Sequence, residues 1–297
     1  ETDGLGRFGH SALPVMLGGA TYQINVLLGT LLASYLAAGS VSYLFYADRL
    51  VQFPLGIFAI SAVTLMMPDL SRQAAEQRLD AMKASFSHAL RLVWFVTLPA
   101  MVGLIVLREP IVAILFERGA FISNSTRLTA DALLWYSTGL WAYAALRLLL
   151  AMCYALQDAY GPLKAAAVRM VVNLGAGILL MQCMGHGGIA LAASLSAMLN
   201  VVLLTVMLRR RIGPLGGWKM LPAAGRIAGC SILMGLSVHG LNSWLAVMPG
   251  SGTAIEVGRV LFCVIAGVAV YMAAAFLCRS RELRICWAMV FQRKKIS

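Results

Sequence analysis

Charge is what this sequence has least of. Only 12% of its 297 residues are Asp, Glu, Lys or Arg, about half of the roughly 25% usual in a soluble domain. Acids are scarcest, 12 against 24 bases. The chain has no Asp-rich metal cluster, no HExxH or GxSxG motif and no glycine loop with a phosphate-cradling Lys. Metal-assisted, acyl-transfer and nucleotide-driven catalysis therefore lack the groups they need. The four histidines (His10, His88, His186, His239) have no carboxylate partner at helical spacing. The six cysteines form no CxxC or Cys/His pattern and read as small apolar fillers. No catalytic residue, metal or cofactor is expected.

What the sequence does have is apolar surface. Hydrophobic residues make up 60% of the chain, which excludes disorder, a disulfide scaffold and an ordinary cytosolic enzyme. Crossing about 30 Å of hydrocarbon takes about 20 apolar residues. Eight runs qualify, at roughly 11–38, 41–67, 86–107, 128–156, 163–184, 189–208, 227–247 and 257–278. The expected fold is an all-α polytopic membrane protein of eight spans. Gly185-His186-Gly187-Gly188 leaves room only for a tight turn, so the fifth and sixth spans are antiparallel neighbours.

An even number of spans puts both termini on one side. Eighteen of the 24 bases then fall on that side, four (Arg108, Arg118, Arg127, Arg259) on the other, and Arg49 and Arg147 lie inside spans. The positive-inside rule makes the termini cytoplasmic. A pI near 9.8 is thereby a matter of topology, and no nucleic-acid partner is needed. The organisation follows: 1–10 a linker cut within a longer protein, 11–208 a six-helix lobe, 209–226 a basic cytoplasmic loop, 227–278 two additional helices and 279–297 a basic cytoplasmic tail. The chain opens Glu1-Thr2-Asp3 without a signal-peptide pattern.

Ionisable groups inside spans are costly and face cavities more often than lipid. The second span carries Asp48 and Arg49, then Gln52, Pro54 and Gly56. Arg49 and Gln52 are three apart and share a face, and Pro54 removes a backbone donor and should bend the helix. A guanidinium beside a bend suits a phosphate or pyrophosphate through its planar donor fork; the competing role is an ion pair, with Asp48 or between helices. Arg147 either lines the same cavity or snorkels to the inner interface. In the first span Gly18, Tyr22, Asn25 and Gly29 make a polar or small stripe suited to a cavity or to close helix packing, and Asn173 with Gly177 in the fifth reads the same way. Gly225-x-x-x-Gly229 is a small-residue packing motif. The stretch Arg108–Ser125, containing Glu117, Arg118 and Gly119, is too short to span and should lie at the outer interface as a gate, a support or a plain connector.

The string Tyr46-Ala47-Asp48-Arg49-Leu50-Val51-Gln52-Phe53-Pro54-Leu55-Gly56-Ile57-Phe58 resembles the YADRLxxxPxGxF segment of the MurJ/MviN family, the lipid II flippases of bacterial peptidoglycan synthesis. Pro68-Asp69-Leu70-Ser71, Glu109-Pro110-Ile111 with Leu115-Phe116-Glu117-Arg118-Gly119-Ala120-Phe121, Tyr154-Ala155-Leu156-Gln157-Asp158 and Gly185 to Leu191 match in the same order. The resemblance covers about 10–210 by motif and the rest by position. It implies a fourteen-helix fold of the multidrug/oligosaccharidyl-lipid/polysaccharide exporter superfamily, of which this chain looks like the second lobe and the last two helices. A first lobe is expected as partner, with lipid II (an undecaprenyl-pyrophosphate-linked disaccharide-pentapeptide) as cargo, membrane lipids around it and the bacterial inner membrane as location. Arg49 matches a cavity arginine associated with transport in the family. Some relatives have acids where this chain has Gln52, Gly29 and Gly177, so the resemblance does not supply a cation site here. The alternatives are a drug/cation antiporter of the same superfamily, whose cavity carboxylates are missing, and a membrane transferase acting on polyprenyl phosphates, whose catalytic acids are missing.

Overall fold

In hydrocarbon every backbone polar group must be satisfied within its own segment, and helices do this. The computed structural model describes residues 23–215, 217–246, 253–278, 280 and 282–283, and among them the regular structure is helical. The expected linker at 1–10, the stripe residues Gly18 and Tyr22 and nearly all of the tail at 279–297 lie outside the described residues. The helices are α1 (Gln23–Ser34), α2 (Ser40–Pro54), α3 (Ser61–Ala75), α4 (Leu79–Val106), α5 (Arg108–Phe116), α6 (Ser123–Thr138), α7 (Leu140–Ala155), α8 (Tyr160–Met184), α9 (His186–Ile212), α10 (Gly217–Ala246) and α11 (Thr253–Leu277). Six segments are long and apolar enough to cross a membrane: Ser40–Ala75, Leu79–Val106, Tyr160–Met184, His186–Ile212, Met220–Ala246 and Ile255–Leu277. The pair α6 and α7 makes a seventh if its 45° bend is counted as one broken span, and α1 is a shorter apolar helix.

One expectation gains a detail and two change. After Pro54, residues Leu55–Ile60 form a π-helical turn through which α2 runs into α3. Wider i→i+5 bonding accommodates the donor that proline lacks. The fourth span is not one rod but bends at Gly139, where Ser194 Oγ of α9 donates to the carbonyls of Trp135 (2.8 Å) and Tyr136 (3.3 Å). A methyl on Gly139 would sit 2.7 Å from that same Oγ. The basic segment 209–226 is mostly helix, with Arg209, Arg210 and Arg211 forming the last turn of α9.

The turns show the same economy. Helices α3 and α7 end with Gln77 (φ 56°) and Gln157 (φ 54°) in the left-handed region. Arg78 N–H closes back on Gln73 O and Asp158 N–H on Cys153 O, both at 2.9 Å, which satisfies carbonyls that a helix end leaves open. Asp158 then accepts Gly161 N–H at 2.8 Å in the first turn of α8 and pairs with Arg211 at 2.9 Å. That ion pair fastens the end of α9 to the 156–159 turn.

The last two helices are built onto the lobe. Gly235 of α10 lies against Val102 of α4, with its missing Cβ only 2.4 Å from Val102 Cγ1, and Gly267 of α11 lies against Val238. Pro99 deprives the Phe95 carbonyl, four residues back in α4, of its helical donor. Tyr271 of α11 fills the gap, its hydroxyl donating to Phe95 O at 2.7 Å. By contrast, nothing lies within 4 Å of a methyl built on Gly225 or Gly229, so the expected packing motif packs against nothing among the described residues.

Candidate functional site

Along α2 the buried positions are Ser40, Leu44, Ala47, Val51 and Pro54, a helical stripe turned to the core. Phe45, Arg49 and Phe53 recur at four-residue spacing on the exposed side. The Arg49 guanidinium sits 4.8 Å from the centroid of the Phe45 ring, a cation–π contact that orients it without neutralising it. Asp48 is half-buried and accepts a hydrogen bond from Gln52 Nε2. Among the described residues Arg49 makes no ion pair, so the competing Asp48–Arg49 pairing does not form, and Gln52 bonds Asp48 one turn away. Pro54 is buried beneath this face, whereas Gly56 is exposed, with open space where a side chain would be.

Two recognised strings meet at the start of α2. Tyr46 packs on Phe116 (4.6 Å between centroids) and Phe121 (5.6 Å), and Tyr43 meets His186 edge-on at 5.7 Å. His186 Nε2 in turn bonds Leu128 O at 2.8 Å. These contacts put the 117–122 loop, the 185–186 turn and the beginning of α2 at one end of the bundle, opposite the 156–159 turn. No spacing rule in the sequence pairs Tyr46 with Phe116; only the order of the two strings hinted at it.

The 117–122 loop is fastened by Glu117, whose two carboxylate oxygens accept Ser123 Oγ and Thr126 Oγ1, each at 2.6 Å. Arg118 turns back to donate to Leu115 O at 2.6 Å, and Gly119 takes φ +59°, a conformation glycine adopts without a steric penalty. The Ser123 bond, then the Thr126 bond, hold the Glu117 carboxyl below its usual range. A lowered folded-state pKa contributes stability that is present above the ordinary Glu value and is lost as pH falls from there through the depressed value. Protection of the 117–122 amides, their exchange relative to the intrinsic amide rate at each pH, should therefore fall as pH is lowered across that window, and Glu117→Gln should show lower protection without that change. Identical exchange in both proteins would remove Glu117 as the fastening.

The remaining expected site residues separate. Asn25, half-exposed on α1, accepts Asn173 Nδ2 of α8 on its Oδ1 at 2.9 Å. Gly177, one turn along α8, lies against Leu32 of α1, whereas Gly29 meets nothing within 4 Å among the described residues. Arg147 is exposed on α7. One residue escaped the sequence reading. Arg169, counted there with the terminal-side bases, stands well inside α8, its Cζ 5.9 Å from the Tyr143 ring centroid and its Nε buried without an acceptor. Counting from the start of the helix rather than from the loop would have found it. An arginine at mid-helix costs about 2.5–3.5 kcal/mol on insertion scales, a cost that Arg49, Arg147 and Arg169 each carry.

The class defined by this architecture is a polytopic α-helical membrane protein with arginines inside its spans. A sequence profile of the family described as "Lipid II flippase MurJ" matches residues 1–258, and the chain belongs to that family. It is similar to "Probable lipid II flippase MurJ" of Rhizobium tropici, 31% identical over 90% of this chain and 50% of the relative. The protein of the same description from Vibrio cholerae is 36% identical over 65% of this chain and 37% of its own length. Among solved structures, "Lipid II flippase MurJ, inward closed conformation" superimposes with a TM-score of 0.76 at 26% identity, covering 94% of this chain and 56% of that one. The chain spans half or less of the length of these curated relatives.

Proposed function

We propose that this chain forms the second lobe and last two helices of a lipid II flippase in the bacterial inner membrane, acting with a first lobe to move lipid II from the cytoplasmic to the periplasmic leaflet. The observation that carries the reading is Arg49, an exposed guanidinium without an ion-pair partner among the described residues, set inside a span and within the stretch matched by the family. The pyrophosphate–sugar head enters a basic cavity between lobes and the polyprenyl tail stays in lipid. The exposed apolar side chains of the last helices, Leu236, Phe262, Ile265 and Val268 among them, offer the tail a lipid-facing surface. No bond is made or broken; access to the cavity alternates between faces as the lobes rock. Expression of the native-length protein in cells depleted of their own lipid II flippase should restore growth and outward movement of lipid II. Normal membrane levels without either result would refute the reading.

The orientation is part of the proposal: the 156–159 turn, Arg209–Arg211 and the C-terminal tail cytoplasmic, the 117–122 loop and 185–188 turn periplasmic. A membrane-impermeant maleimide applied to intact spheroplasts should label a cysteine at position 120 and spare one at 210, both exposed positions. The reverse pattern would invert the topology.

A further inference from the structure

Helix α7 is the most enclosed of the lobe: ten of its sixteen residues are buried, and Arg147 alone is exposed. A lipid-facing opening would present apolar side chains, as α11 does with Leu261, Phe262 and Ile265. Here the single opening presents a guanidinium. Tyr143, one turn before Arg147 on the same face, carries Arg169 of α8 against its ring. The helices are joined by the short 156–159 turn, and Arg147 stands eight residues before Ala155 while Arg169 stands nine after Tyr160. At 1.5 Å per residue both lie about 12–14 Å from that turn, hence at one depth. Among the described residues neither has an ion-pair partner, and Arg169 Nε is buried without an acceptor. Arg169 is thus held against an aromatic ring one turn from Arg147 along α7, with neither arginine ion-paired among the described residues. Arg49 lies toward the opposite end of the bundle, one turn beyond Tyr46.

We infer that Arg147 and Arg169, with Tyr143 between them, form a second anion station that takes a pyrophosphate group on the 156–159 side of the bundle before it reaches Arg49. The inference rests on the flippase reading for its direction, and on the α7–α8 geometry alone for its existence. The paired guanidinium forks match the several oxygens of a pyrophosphate, whether free or carried on a polyprenyl chain.

The test measures binding of two probes, inorganic pyrophosphate and lipid II, to the purified native-length protein. Arg147→Gln and Arg169→Gln are each expected to weaken both by about tenfold, and Arg169→Lys by about threefold, because lysine keeps charge without the fork. Unchanged pyrophosphate binding in both Gln variants overturns the station while leaving the flippase reading standing on lipid II binding. A wild-type protein that binds pyrophosphate through these arginines but not lipid II keeps the station and removes the flippase reading. A wild-type protein that binds neither probe overturns both. Where a Gln variant fails to accumulate, Leu150→Cys in the otherwise unchanged protein decides. Pyrophosphate should slow its labelling by a charged maleimide, read at residue 150 by mass spectrometry, and an unchanged rate overturns the station.

Discussion

Arg49→Ala should abolish lipid II translocation in the native-length protein while its membrane abundance stays close to wild type. The guanidinium supports little of the fold: it is exposed, touches the Phe45 ring and has no ion pair among the described residues. Losing an exposed cation–π contact costs about 0.5–1 kcal/mol. Losing a charge-assisted contact to a pyrophosphate costs about 1.5–3 kcal/mol, roughly ten- to a hundred-fold in affinity. Arg49→Lys keeps the charge without the bidentate fork and should retain partial activity. Asp48→Asn combined with Arg49→Ala decides between cargo and structure. Asp48 already has Gln52 as its donor, so the double variant should be stable and inactive. Recovery of translocation in it would mean that Arg49 serves to neutralise Asp48, and the proposal for Arg49 would fall.

Gly188→Ala is the substitution expected to damage the fold most. A methyl there would stand 2.3 Å from the Leu180 carbonyl oxygen and 2.4 Å from its carbon. Those are backbone atoms of α8, held in its hydrogen-bond ladder, and no rotamer change relieves the overlap. Overpacking against side chains costs about 1–3 kcal/mol, and a backbone neighbour puts this site at or above the top of that range. Gly187→Ala is the control, since its nearest atom is the Asp131 carboxylate at 2.6 Å, the end of a side chain that can turn away. Detergent-solubilised Gly188→Ala should melt well below wild type, with Gly187→Ala between them. Equal melting of all three would show that α8 and α9 tolerate more separation at the turn than the geometry allows.

The tight turn at Gly185 was legible because a short connection between two long apolar runs admits one arrangement. The spans were legible for the same kind of reason: water exclusion acts on composition, and composition is local. Partners across the bundle were not. Asn25 and Asn173 bond although 148 residues apart, and neither residue type carries a signal of its mate. Gly225 and Gly229 have the packing spacing but face open space, whereas Gly235 and Gly267, outside any motif, are the points of close approach. A small residue permits contact; the neighbouring helix decides whether contact occurs. The π turn at Leu55–Ile60 was missed because proline announces a lost donor without saying how the chain compensates. In the candidate site, Arg49 was readable from its cost in a span, but the hydrogen-bond partner of Asp48 was not. Asp48 is adjacent in sequence and so points to another face of the helix, while Gln52 lies one turn on and reaches it.

Tyr271 gives the last helices a kinematic role. Its hydroxyl occupies the Phe95 carbonyl that Pro99 leaves open, and pulling α11 away would leave that carbonyl without this donor in a medium with no water to replace it. With Gly235 seated against Val102 on the neighbouring helix, α10 and α11 have no independent hinge at this contact. If the lobe rocks as proposed, this contact would carry the pair with it, so a lipid tail lying along α10 and α11 would move with Arg49 rather than past it.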